Sequence, residues 1–265
     1  MKHIIKKVAL LLGIHMSAVT DRTSLIDLIK KLRPIKTNYK LIRIGPQGNG
    51  GYLLPDDFEG IEAVFSPGVG SVSSFEDDCA KMGIKVFLAD NSVDGPALDN
   101  ENFHFIKKYV GAITNNDFIT IDEWVNSSSI GNNSDLLLQM DIEGFEYEAV
   151  YSISNQLMNR FRIIIIEFHE LDMLFNKPYF GKISNVFEKI LQTHECVHIH
   201  PNNCCRVVKK EGIEIPPVME FTFLRKDRIQ TKKYVSEFPH QLDMDSADKE
   251  TLVLPQCWYE GKNND

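Results

Sequence analysis

Acidic and imidazole side chains come directly after two apolar runs of the sequence. Asp141 directly follows the run DLLLQM, and Glu167 directly follows the run RIIII. The carboxyl ends of parallel strands meet at one edge of a sheet, so we expect these side chains to lie close together. A carboxylate or an imidazole placed there can act as a general base, and several together can hold a hard divalent ion such as Mg²⁺. The candidate catalytic residues are Asp141, Glu143 and His169, and the candidate metal ligands are Asp141, Glu167 and His169.

Structural roles compete with this interpretation. Glu143 and Glu146 also suit the start of a helix, where negative charge stabilises by about 0.3–1 kcal/mol without any chemistry. For Asp141 the functional role is favoured, because a carboxylate at the ligand edge of a sheet is costly to bury unused. The adjacent Cys204 and Cys205 are interpreted as structural.

A glycine turn forms a second candidate site. Gly68-Val69-Gly70 follows the apolar run Ala63–Phe65 and precedes a segment with a helical pattern, and the next apolar run ends at Asp90. Strand, glycine turn, helix, strand and acid make up the first half of a nucleotide-binding βαβ unit. The glycines let a ligand approach the backbone, and the acid can accept hydrogen bonds from a ribose.

The residues after the turn favour a nucleoside without phosphate. Ser73 stands where a dinucleotide site needs its third glycine, and the acidic run from Glu76 to Asp78 would repel phosphate. S-adenosylmethionine fits these features, although such a turn can also be a plain strand-to-helix connection. Tyr52 follows a glycine-rich turn that is either a simple hairpin or a lid strand over the cofactor. The candidate cofactor residues are Tyr52, Ser66, Gly68, Gly70, Asp90, Asn91 and Asp141.

The order of the predicted elements indicates an α/β protein. Strands alternate with helices along the chain, as in a doubly wound, mostly parallel sheet. We predict an N-terminal helical extension over residues 1–38, a main domain over 39–225 and a polar C-terminal tail over 226–265 that packs on the domain or is mobile. The predicted helices are Ser24–Leu32, Ser73–Met82, Glu146–Tyr151 and Lys182–Gln192, with Ile119–Val125 left open between strand and helix.

The composition limits the classes of function. The 265 residues suit one sizeable domain with extensions, and the net charge of −8 disfavours a nucleic-acid partner, because phosphate contacts need basic residues. Five cysteines without a CxxC pair indicate a reduced, cytoplasmic setting. The start of the chain, MKHIIKKVALLLGIHMSA, is interpreted as an amphipathic helix rather than a signal peptide, and no later segment reaches the length of a membrane span.

Five motifs in order carry a family resemblance. RIGPQGNGGYLLP, SPGVGSVSSFE, MDIEGFEYEAV, IIIEFHEL and HIHPNN resemble the FkbM-type family of S-adenosylmethionine-dependent methyltransferases, and DIEGFE is the most specific of them. The resemblance implies the class I methyltransferase (Rossmann-like) fold, a doubly wound, mostly parallel seven-stranded sheet with a reversed last strand. It also implies that Gly68 and Gly70 bind the methionine end of the cofactor, Asp90 its ribose, and that Asp141 lies beside the sulfonium.

The resemblance implies an O-methyltransferase that uses S-adenosylmethionine and acts on a hydroxyl of a sugar, glycan or related small metabolite. Assistance by a divalent cation such as Mg²⁺ stays open, and the N-terminal helices are candidate lid or homodimer elements. Two alternatives remain. A nicotinamide-dependent oxidoreductase on a Rossmann-like fold is opposed by the missing third glycine, and a non-catalytic adenosyl-binding protein is opposed by the intact DIEG segment.

Overall fold

The structure is a computed structural model that describes residue 7, residues 11–13 and residues 16–261. The predicted helix in MKHIIKKVALLLGIHMSA lies mostly outside these residues. The α-helices are α1 (Arg22–Lys31), α2 (Ser74–Lys81), α3 (Ile121–Ser127), α4 (Glu146–Ser152), α5 (Asn155–Met158) and α6 (Lys177–Thr193). Short 3-10 helices span Leu171–Phe175, Lys226–Arg228 and Gln256–Trp258.

The strands fall into one large sheet and several two-stranded pairs. They are β1 (Ile35–Lys36), β2 (Leu41–Ile44), β3 (Tyr52–Pro55), β4 (Ile61–Pro67), β5 (Lys85–Ala89), β6 (Phe103–Ile106), β7 (Tyr109–Val110), β8 (Phe118–Ile119), β9 (Asp135–Met140), β10 (Phe161–Phe168), β11 (His194–Pro201), β12 (Val208–Lys210), β13 (Ile213–Ile215), β14 (Met219–Arg225) and β15 (Lys233–Tyr234).

The large sheet has seven strands in the order β11-β14-β10-β9-β4-β5-β6. β4 pairs in parallel with both β5 and β9, whereas β14 runs antiparallel to both β10 and β11. The predicted doubly wound, seven-stranded Rossmann-like sheet with one reversed strand is therefore confirmed. The chain turns to opposite sides of the sheet at β4 and β9, and this leaves a crevice at the carboxyl ends of these two strands.

Burial explains strand β10 and the helix that packs on it. Every residue of β10 is buried, as expected for an interior strand of a sheet with both faces covered. Helix α6 buries Ile183, Val186, Phe187 and Ile190, which lie on one face at helical spacing. The helix begins at Lys177 rather than at the predicted Lys182, because a proline in the first turn of a helix costs no hydrogen bond.

A hairpin covers the sheet beside the crevice. Strands β2 and β3 pair antiparallel, with Leu41 opposite Pro55. The Thr222 hydroxyl on β14 donates to the Leu53 carbonyl oxygen at 2.7 Å and fastens the hairpin to the sheet. The hairpin therefore forms a fixed cover over this face.

Two segments differ from the sequence-based prediction. The stretch left open at Ile119–Val125 contains helix α3, whose first turn is capped by the Thr120 hydroxyl as it accepts the Glu123 N–H. The β12–β13 pair was not predicted, because its strands are short and Val208 is exposed.

The C-terminal segment makes specific contacts with the rest of the chain. β15 pairs with β1, and the Trp258 side chain is fully buried, with its indole N–H donating to the Glu214 carbonyl oxygen at 2.9 Å. Asp243 Oδ1 lies 2.9 Å from His198 Nε2 on β11. Within residue 7, residues 11–13 and residues 16–261, no helix combines the length and the apolar character needed to cross a bilayer.

Candidate functional site

The turn after β4 lies against the end of β9. Gly68 has a φ of +92°, and a Cβ built on it would lie 1.6 Å from the Asp141 carbonyl oxygen. A Cβ built on Gly70 would lie 4.0 Å from its nearest neighbour, the Val72 nitrogen. The fold itself therefore requires glycine at the first position, whereas the second leaves open space above the turn.

Asp90 closes this turn from the neighbouring strand. Its Oδ2 accepts the Val69 N–H at 3.0 Å, and its Oδ1 accepts the Ser92 N–H at 2.7 Å and the Ser92 hydroxyl at 2.6 Å. A carboxylate has about four acceptor positions, so Asp90 can fix the turn and still accept a hydrogen bond from a ligand.

These residues line a cavity of about 570 Å³. Small-molecule sites commonly have volumes of about 300–1,000 Å³. Five residues predicted from the sequence, Gly68, Gly70, Asp90, Asp141 and Glu143, lie in its wall. The other lining residues are Val69, Ala89, Ser92, Tyr109, Val110, Phe118, Ile142 and Phe145.

The candidate catalytic residues meet beside this cavity. His169 Nε2 lies 4.0 Å from Asp141 Oδ1 and 3.4 Å from Glu143 Oε2. Glu143 has a φ of +56°, a backbone conformation that residues other than glycine rarely adopt and that often occurs at functional sites. Asp141 Oδ1 is buried and has no hydrogen-bond partner among the described residues. An uncompensated buried carboxylate oxygen is costly unless a ligand, a proton or an ion satisfies it.

Glu146 fixes the position of the His169 imidazole. Its side chain is fully buried, and its Oε1 accepts the N–H groups of Ile142 at 3.2 Å and Gly144 at 3.0 Å. The same oxygen lies 3.0 Å from His169 Nδ1, and the Tyr147 hydroxyl donates to the His169 carbonyl oxygen at 2.7 Å. A role limited to helix charge therefore does not describe Glu146, which fixes both the loop and the ring.

Burial and neighbouring charges separate the proton affinities of the site. Burial, followed by the negative charge of Glu167, raises the pKa of Asp141 to about 7. Burial alone would lower the pKa of His169, but the hydrogen bond to Glu146 and the surrounding carboxylates raise it to about 9. Near neutral pH the imidazole is thus charged, while Asp141 can readily take up a proton.

The arrangement that could hold a metal differs by one residue from the predicted one. Donor atoms of Asp141, Glu143 and His169 lie within 4.8 Å of one another. Glu167 is buried behind them, and its Oε1 accepts a hydrogen bond from Asn202 Nδ2 at 2.7 Å. Burial raises the pKa of Glu167. The hydrogen bond from Asn202 lowers it, but burial has the larger effect. The structure groups Glu143, rather than Glu167, with the other two predicted ligands.

The remaining predicted cofactor residues lie outside the cavity wall. Tyr52 and Ser66 are buried behind the glycine turn. The Tyr52 hydroxyl accepts from Gln139 Nε2 at 3.0 Å, and Ser66 Oγ lies 2.5 Å from Gln139 Oε1 and 2.6 Å from Glu76 Oε1. Asn91 follows Asp90 and is partly exposed. Tyr52 and Ser66 thus support the wall from behind.

Sequence reasoning missed an aromatic part of the cavity. Tyr109, Phe118 and Phe145 line it, with ring centroids 5.4 Å apart for Tyr109 and Phe118 and 6.3 Å apart for Phe118 and Phe145. Tyr109 is 40% exposed and Phe145 is 49% exposed. The one available signal was the position of Phe145, a large apolar residue directly after the DIEG segment and directly before helix α4.

Comparison with known families gives a match over part of the chain. Residues 85–196 match the family model described as the methyltransferase FkbM domain. The resemblance seen in the motifs is confirmed over this stretch, which contains Asp90, Asp141, Glu143 and His169. The match supports a methyltransferase activity. A search of curated proteins gave no match.

Two solved structures are similar to the chain at low TM-scores. One is the crystal structure of PH1948 from Pyrococcus horikoshii, described as a candidate RNA methyltransferase, with 12% identity, a TM-score of 0.35 and coverage of 64% of this chain and 76% of that chain. The other is EvdMO1, with 13% identity, a TM-score of 0.28 and coverage of 80% of this chain and 49% of that chain. At these scores neither likeness bears on the activity of the chain.

Proposed function

We propose, from the FkbM-domain match and the cavity at the end of β4, that the protein is an S-adenosylmethionine-dependent O-methyltransferase. Its acceptor is a hydroxyl of a sugar, glycan or related small metabolite. The observation that carries the proposal is the buried Asp141 Oδ1, which has no hydrogen-bond partner in the part of the chain that the structure describes and lies at the wall of a cavity that also contains the glycine turn and Asp90.

The cofactor assignment rests on three parts of the cavity wall. The open space above Gly70 suits the methionine end, and Asp90 accepts from the ribose hydroxyls. Tyr109, Phe118 and Phe145 offer ring faces to the adenine, since aromatic rings stack favourably on one another. The acidic start of α2 agrees with a ligand that carries no phosphate.

The chemical part rests on the proton affinities. Methyl transfer to a hydroxyl forms the carbon–oxygen bond, breaks the carbon–sulfur bond and leaves one proton on the acceptor oxygen. Asp141, whose pKa is raised to about 7, takes up that proton. The charged His169, held by Glu146, stabilises the ionised Asp141 before the transfer.

A divalent ion fits the same residues. The unpartnered Asp141 Oδ1, Glu143 and the His169 ring would hold it, and binding would require the imidazole to lose its proton first. When bound, such an ion lowers the pKa of the acceptor hydroxyl.

Calorimetry with S-adenosylhomocysteine tests the proposal, with and without magnesium. We expect binding by the unaltered protein and by Asp94→Ala, whose side chain is 96% exposed on the same loop, and loss of binding by Asp90→Ala. Binding unaffected by Asp90→Ala would contradict the ribose assignment. No binding by the unaltered protein would overturn the methyltransferase proposal in favour of a nicotinamide enzyme or a non-catalytic protein.

A further inference from the structure

The turn that follows β11 places two thiols against each other. The Sγ atoms of Cys204 and Cys205 lie 2.9 Å apart, although neighbouring side chains of an extended chain point to opposite sides. Cys205 is exposed and Cys204 is half-buried. Core packing, the usual role of a free cysteine, does not account for an exposed pair.

Hydrogen bonds hold the backbone of this turn on both sides. Asn202 Oδ1 accepts the Cys204 N–H at 2.9 Å, and Lys249 Nζ donates to the Cys204 carbonyl oxygen at 2.6 Å. Asn203 Nδ2 donates to the carbonyl oxygens of Ala247 at 2.9 Å and Lys249 at 3.1 Å. The closeness of the two sulfurs is therefore built into an ordered turn.

We propose that Cys204 and Cys205 are an oxidative modification site, which closes into a vicinal disulfide by exchange with a small-molecule disulfide such as glutathione disulfide. A disulfide bond is about 2.05 Å long, so the sulfurs must approach from 2.9 Å by about 0.9 Å. Neighbouring Cα atoms lie about 3.8 Å apart, closer than the roughly 4.4–6.8 Å usual for a disulfide, so closure rotates both side chains and also strains the backbone between them.

The exchange balances in two steps. The exposed Cys205 thiolate attacks the small disulfide, which forms a mixed disulfide and releases one small thiolate. The Cys204 thiolate then attacks the Cys205 sulfur, which forms the Cys204–Cys205 bond and releases the second small thiolate. The two protein thiols lose two electrons and two protons, and the small disulfide gains them as two thiols. Burial, together with the hydrogen bond to Cys205, raises the pKa of Cys204 to about 12, so ring closure is the slower step and accelerates with pH.

The other cysteines are poor competitors for this reaction. Cys79 and Cys196 are fully buried, and burial raises the pKa of both thiols. Cys257 is partly buried, and burial raises its pKa as well. Disulfides that are exposed or strained are the easily reduced ones, so the ring at Cys204 and Cys205 opens again under reducing conditions.

Asn202 connects this turn to the candidate active site. Its Oδ1 holds the Cys204 N–H, while its Nδ2 donates to Glu167 Oε1 at 2.7 Å. Ring closure changes the backbone at Cys204 and so acts on a side chain that also donates to Glu167.

Peptide mapping of the full chain tests the proposal without reference to any enzyme activity. The protein is incubated with glutathione disulfide, denatured, alkylated with iodoacetamide and digested with trypsin. Peptide 190–206 contains Cys196, Cys204 and Cys205. We expect all three to be alkylated in reduced protein and Cys196 alone after oxidation, with a loss of about two hydrogen masses that dithiothreitol reverses.

Two serine variants test which cysteines form the disulfide. Cys257→Ser should close the ring as the unaltered protein does, and Cys205→Ser should lose the disulfide entirely. The labelling pattern of the unaltered protein decides the matter even if Cys205→Ser does not fold. A lasting glutathione adduct on Cys205 with Cys204 still alkylated would overturn the proposal, as would a disulfide that maps to Cys196 or joins two chains.

Discussion

His169 Nδ1 lies 3.0 Å from Oε1 of Glu146, a carboxylate with no exposed surface. The ring position in the site is thus set by a residue that does not line the cavity. Nδ1 of the charged ring donates to this carboxylate, and the second N–H of the ring, at Nε2, faces Asp141 and Glu143. The geometry of the candidate site accordingly depends on the first turn of α4 as much as on the residues that line the cavity.

Glu146→Gln tests this dependence. The amide oxygen can still accept from the backbone, but the negative charge beside the imidazole is lost. We expect the pKa of His169 to fall from about 9 toward its ordinary value of about 6.5, measured by NMR titration of the ring. Glu148→Gln, at an exposed position of the same turn, should leave the titration unchanged.

The same shift has a consequence for stability. A histidine whose pKa is raised by folding stabilises the protein fully below its unfolded value of about 6.5, and this contribution is lost as the pH rises through about 9. The difference in unfolding free energy between the unaltered protein and Glu146→Gln should therefore narrow over that interval. A difference that grows with pH would contradict the assignment.

Asp141→Asn should lower the activity and raise the stability at alkaline pH. Removal of the proposed base should lower kcat by about 10²–10⁴-fold, while S-adenosylhomocysteine still binds. Folding raises the pKa of Asp141 from 3.8 to about 7, so the cost of the buried charge is absent below about pH 3.8 and complete above about pH 7. Thermal denaturation at pH 8 should show the variant to be more stable than the unaltered protein. A variant equally active, or less stable at that pH, would remove Asp141 from the role of base.

The sequence predicted the sheet well because the apolar runs and the glycine turns are local signals. Strand β9, Asp135–Met140, spans the whole of the apolar run DLLLQM. The start of α6 was placed too late because Pro178 interrupts the pattern, although proline is tolerated in a first turn.

The candidate site was only partly predictable for a different reason. Strand ends show which residues share an edge, and Asp141, Glu143 and His169 do come together. Whether a carboxylate at that edge is open or buried depends on elements far away in the chain. Glu167 contacts Asn202, which follows the end of β11, and Glu146 is fully buried. Neither position could be inferred from the spacing of residues in the sequence.

Gly68→Ala and Gly70→Ala should differ sharply in how much unfolding free energy they cost. Alanine at Gly68 combines a left-handed backbone with a Cβ 1.6 Å from the Asp141 carbonyl oxygen, which should cost about 2–5 kcal/mol of unfolding free energy. Alanine at Gly70 meets open space and should change stability by less than about 0.5 kcal/mol. Urea denaturation measures both. In calorimetry Gly70→Ala should still weaken S-adenosylhomocysteine binding, since the added methyl group would project into the space proposed for the ligand. Equal stability losses for the two variants would mean that the close approach at Gly68 is not rigid.

Phe145→Ala separates a ligand contact from a packing role. The ring is 49% exposed at the cavity wall, so its removal should change the unfolding free energy by less than about 0.5 kcal/mol. A stacking contact with the adenine is worth about 0.5–1.5 kcal/mol, and its loss should weaken S-adenosylhomocysteine binding roughly 2- to 12-fold in calorimetry. Tyr151→Ala is the matched control, because Tyr151 lies on α4, the helix that Phe145 directly precedes, is 64% exposed and does not line the cavity. Unchanged affinity in Phe145→Ala would place the adenine away from this ring, and an equal loss in both variants would show that the effect passes through the stability of α4.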